Sequence, residues 1–65
     1  MPYRESDIVR EGERYTIIRR AVGRYELLRH ELTHSVVCGW FTFPKDDARA
    51  LAYANREFER KESAR

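Results

Sequence analysis

His30-Glu31-Leu32-Thr33-His34 is the segment with the most chemistry in this chain. On an α-helix, residues four apart lie one turn apart on the same face. Two imidazoles so placed can share one zinc ion, while the intervening glutamate takes a proton from the bound water. A helix here would also align Tyr25, Leu28, Leu32 and Val36 into one apolar stripe. The five residues contain no Gly, Pro, Asn or Asp to form a tight turn. The sequence just after them argues the other way. Val36-Val37-Cys38-Gly39-Trp40-Phe41-Thr42-Phe43 is β-branched and aromatic, as a strand is. Pairing of that strand with Arg24 to Arg29 would leave His30 and His34 at a hairpin end. A third zinc ligand would have to come from Glu57, Glu59 or Glu62. We therefore expect ordinary surface histidines, no catalytic residue and no cofactor. Zinc held by His30 and His34, with Glu31 as base, is the alternative.

Arginine is the second chemical signal. Thirteen basic residues against eleven acidic ones leave a formal net charge of only +2, but eleven of the thirteen are arginine. The guanidinium fork suits phosphate and carboxylate recognition better than an ammonium does. On a C-terminal helix, Arg49, Tyr53, Arg56 and Arg60 fall within about 60° of one another, opposite a core face of Ala48, Leu51, Asn55 and Phe58. Arginines framing a tyrosine can hold phosphates while the ring stacks on a base or fills a pocket. Arg19, Arg20, Arg24 and Arg29 add charge from the strands. The plainer reading is a solvated helix face, with Asp46 and Glu57 close enough to pair with Arg49 and Arg56.

Other constellations are poorer. Gly12, Gly23 and Gly39 are scattered and form no phosphate loop, and no serine, histidine and acid stand in a nucleophilic arrangement. Cys38 is the sole cysteine, which excludes an intramolecular disulfide and a cysteine-cluster metal site. It reads as a small buried hydrophobe between valines and Gly39-Trp40. Trp40, Phe41 and Phe43 read as packing residues, with a base-stacking platform as the alternative. Neighbours on a strand point to opposite faces, so Trp40 and Phe41 cannot both be covered by one helix. An apolar patch on the outer sheet face is expected, suited to a partner or a second copy of the chain.

The elements that must position these residues are few. A chain of 65 residues is one domain with a thin core, too small for a substrate cleft. Residues 1–14 are polar and read as an N-terminal extension, leaving 15–65 as the domain. Tyr15 to Arg20 and Arg24 to Arg29 read as strands joined through Ala21-Val22-Gly23, where Gly23 can take the positive φ of a hairpin loop. Gly39 within the next strand suggests a bulge or a close backbone approach. Thr42 is a candidate N-cap for a helix from about Pro44 to about Glu62. The expected fold class is α+β: a small antiparallel sheet of two to three strands packed against one C-terminal helix. No apolar run approaches membrane-spanning length and no basic-then-apolar leader opens the chain, so no membrane partner and a cytoplasmic location are expected.

Four resemblances follow. The order strand, Gly turn, strand, strand ending Gly39-Trp40-Phe41-Thr42, then a helix carrying Ala48 to Asn55, resembles small proteins of phages and other mobile elements. The layout is similar to AP2-like and integrase arm-binding domains. That similarity implies a sheet laid in a DNA groove, with Arg19, Arg20, Arg24 and Arg29 on the phosphates. By size and style the chain also resembles anti-CRISPR inhibitors, which implies occlusion of a host protein or nucleoprotein surface. His30 to His34 resembles the zincin motif over about ten residues, which implies a zinc-dependent peptidase. The function expected is a non-enzymatic binding protein contacting nucleic acid or a nucleoprotein complex, with an inhibitor or a minimal peptidase as alternatives.

Overall fold

A computed structural model describes residues 3–64. Four strands, β1 (Ile8–Glu11), β2 (Tyr15–Ala21), β3 (Arg24–His30) and β4 (Ser35–Thr42), precede one helix, α1 (Asp47–Ser63). The strands form an antiparallel meander in the order β1-β2-β3-β4, and α1 packs across β2, β3 and β4 on one face. The α+β class with one C-terminal helix agrees with the sequence reading. The sheet has one strand more than the two to three expected.

The additional strand comes from residues 1–14, read above as an extension. A single turn of 3-10 helix, Glu5–Asp7, leads into β1, which pairs with β2 through Ile8↔Ile18 and Glu11↔Thr16. Its signal is weak in the sequence because the residue it turns toward the helix is Arg10, not an apolar one. The Arg10 guanidinium lies 4.3 Å from the Phe58 ring centroid and donates to Asn55 and Glu59. The aliphatic stem and flat cation do the covering that a hydrophobe would do elsewhere.

The strands follow the period-two rule. Ile17 and Leu27 pair across β2 and β3 and bury themselves under α1 with Tyr25. Gly23 turns the β2–β3 hairpin at φ 71, where a β-carbon would collide with the Phe43 carbonyl oxygen. β4 pairs with β3 but slips register between Val37 and Gly39, so Cys38 is the extra residue of a bulge. Gly39 lies beside it, where a β-carbon would press on the Phe41 ring at 3.2 Å and the ring would have to shift.

The helix begins three residues later than the Pro44 start expected from sequence. Phe43 N–H donates to Gly23 O and Asp46 N–H to Phe43 O, so Thr42-Phe43-Pro44-Lys45 completes the sheet and turns. Asp46, not Thr42, is the N-cap, and its carboxylate accepts from Arg49 N–H at 3.0 Å. The core face is rotated too. Ala50, Ala54 and Phe58 are buried, Leu51 and Asn55 flank them, and Ala48 is exposed. Two alanines at the contact let the helix axis lie close over the sheet, which a bulkier stripe would prevent.

Candidate functional site

The expected helix stripe is present. Arg49, Tyr53, Arg56 and Arg60 are all exposed on the side of α1 away from the sheet. Tyr53 is joined by Phe43, which sequence reading placed in the packing ahead of a base-stacking platform. The two rings stack with centroids 5.3 Å apart and planes 14° apart. Phe43 thus has two roles, resting partly on the core and partly under Tyr53. The Arg49 guanidinium lies 5.0 Å from the Phe43 ring centroid and 5.9 Å from that of Tyr53, a cation–π arrangement. No sequence signal marks this pair, because ten positions and a turn separate the rings.

The four helix residues differ in readiness. Arg60 forks onto Glu57 with bonds of 2.8 and 3.0 Å. That hydrogen bond, with the attraction of the two charges, holds the Glu57 carboxyl below its ordinary value and Arg60 above its own. Arg49 is turned onto the rings, and Arg56 makes no ion pair among the described residues. Beside the stack is a hollow of about 340 Å³ lined by Phe43, Pro44, Lys45 and Asp46.

The strand arginines are divided between the two faces of the sheet. Alternation sends Arg19 and Arg29 to the helix-covered face and Arg20 and Arg24 to the other. Arg19 lies 3.6 Å from Asp47, Arg20 is 3.1 Å from Glu26, and Arg29 is 2.7 Å from Glu31. Arg24 stands opposite Thr42 at the end of β4, with no ion pair among the described residues. These arginines therefore largely bind the protein's own carboxylates, spread over two faces.

Residues 30–34 are the β3–β4 hairpin connection. His30 ends β3, Ser35 begins β4, and Glu31 N–H donates to His34 O across the turn. The one-turn helical spacing that would aim His30 and His34 at one ion is absent. Both His30 ring nitrogens are engaged: Nε2 is 2.6 Å from the Thr16 hydroxyl and Nδ1 is 3.2 Å from the Glu13 carbonyl oxygen. Glu31 is held by Arg29. Among the described residues no group of three or more His, Cys, Asp or Glu side chains converges.

On the face opposite α1, Trp40 is 67% exposed while Phe41 packs against the core. The expected division of these two residues is therefore found. Thr16, Ile18 and Leu28 on the same outer face are nonetheless buried. The Glu5–Asp7 turn packs on β2 there, and Tyr3 lines a groove with Arg20, Leu28, Val37 and the residues 33–35. The N-terminal segment thus roofs part of the outer face, and Trp40 lies beyond it. Among the described residues no helix is long and apolar enough to cross a membrane. The chain matches no protein-family model, no curated protein and no solved structure.

Proposed function

We propose that this protein is a non-enzymatic binding module that holds nucleic acid, free or within a nucleoprotein complex, against the outer face of α1. The observation that carries the reading is the Arg49–Phe43–Tyr53 stack on an exposed helix face that also presents Arg56. Guanidinium groups neutralise phosphates, and an exposed aromatic ring among them adds a stacking contact that a merely solvated face does not need. The strand arginines contribute less than their number suggests, since Arg19, Arg20 and Arg29 already face carboxylates.

Fluorescence anisotropy with labelled oligonucleotides at rising salt tests this reading. Binding should weaken steeply and linearly in log–log form, and Arg49→Ala or Arg56→Ala should each reduce the salt slope by about one. Absence of binding to DNA and RNA at low salt would sink the proposal.

A second reading is favoured by Trp40. Exposure of the largest apolar side chain beside an uncovered strand edge suits a second copy of this chain on the outer sheet face. Such a dimer would cover Trp40 on each copy. Light scattering over a concentration series would register it, and Trp40→Ser should abolish the larger species.

A further inference from the structure

We infer that the ligand of the α1 face is single-stranded nucleic acid, with one unpaired base stacked on Tyr53. This rests on the nucleic-acid reading above and adds the strandedness of the ligand and the residue that selects it.

Both faces of a paired base are occupied by its neighbours in the stack, so an aromatic side chain on a protein surface meets a base face only where the strand is unpaired. Tyr53 is built as such a platform. Phe43 backs its ring at 5.3 Å, which fixes the ring plane, and the residue remains 41% exposed. Arg49, 5.0 Å from one ring centroid and 5.9 Å from the other, sets a cation beside the platform for the phosphate of a stacked nucleotide. The neighbouring hollow extends the platform, with Phe43 and Pro44 offering apolar surface and Lys45 a second cation.

The same face is poorly arranged for a duplex. A helix that reads a major groove needs arginines free to reach base edges. Arg60 is forked onto Glu57 and Arg49 is spread over the rings, so Arg56 alone of the three extends without such a contact. The Asp46 carboxylate, in the hollow beside Phe43, opposes the dense phosphate array of a double helix.

The test compares a labelled 12-nucleotide single strand with the same strand annealed to its complement, at low salt, on the full chain. The single strand should bind more tightly. Tyr53→Ala should weaken it between about five-fold and about a hundred-fold, the range for loss of one stacked base. Tyr53→Phe should restore binding, because the ring and not the hydroxyl is used. Tyr53 is exposed, so circular dichroism of Tyr53→Ala should match the parent. Trp40, the sole tryptophan, lies on the far face, and its fluorescence should not change on binding. Equal affinity for duplex and single strand, an unchanged Tyr53→Ala, or quenching of Trp40 would overturn the inference while leaving phosphate binding in place. Failure of both nucleic acids to bind would remove the underlying reading, and the inference with it.

Discussion

Asp47 joins three elements. One carboxylate oxygen accepts from Gly23 N–H at 2.6 Å in the β2–β3 turn, the other from the Tyr25 hydroxyl at 2.8 Å, and Arg19 approaches at 3.6 Å. The Gly23 N–H bond, then Tyr25, and then the Arg19 charge hold the Asp47 carboxyl below its ordinary value. A carboxyl with a lowered folded pKa stabilises fully above the unfolded value, about 4, and loses that contribution as pH falls through the lowered folded value. Thermal melts should therefore show acid destabilisation below about pH 4, and Asp47→Asn should flatten that limb. Tyr25 behaves in the opposite sense. Burial, then its bond to Asp47, raises its hydroxyl above the ordinary value, so its contribution persists below about pH 10 and is lost as pH rises through the raised one. At Gly23 an added methyl would be strained by the positive φ and blocked by Phe43, so Gly23→Ala should cost at least about 1 kcal/mol in denaturant titrations. The need for Gly23 could be read from the sequence, since a short hairpin turn between two strand-like runs calls for it. The carboxylate of Asp47 could not, because its partners lie 22 and more positions away.

Among the elements, the helix stripe was the most legible feature and its inner face the least. A 100° rotation per residue places Arg49, Tyr53, Arg56 and Arg60 together whatever the starting residue is. The inner face depends on how closely the helix approaches the sheet, and Ala50 and Ala54 occupy that contact with no bulk to advertise it. Phe58→Ala, at the point where α1, β1 and the Arg10 guanidinium meet, should cost about 3 kcal/mol or more by chemical denaturation. Loss of so large a fraction of a small domain's stability should appear as a partly unfolded population at 25 °C. β1 escaped sequence reading because it is four residues long and carries Arg10 where a hydrophobe would signal a strand. The His30 to His34 segment shows the reverse. Its spacing fits a helix, yet the β-branched and aromatic run after it pairs with β3 and leaves those residues to turn the chain.

The whole molecule is thin, 35 × 27 × 16 Å, so almost every side chain is within one layer of solvent. Strand alternation sends the strand arginines to both sides of the sheet and three of them face carboxylates, so the described arginines are not gathered on one face. The composition announced the arginines but not their partners, since pairing depends on strand register. α1 is tied down near both ends by carboxylates bonded to backbone N–H groups: Asp47 to Gly23, and Glu62 to Arg14 at 3.2 Å. Amide protons in such turns ordinarily exchange with solvent almost at the unprotected rate. Here Gly23 and Arg14 should report, by slowed deuterium uptake, whether each end of the helix is seated, and unseating either end would tilt the platform that carries Tyr53.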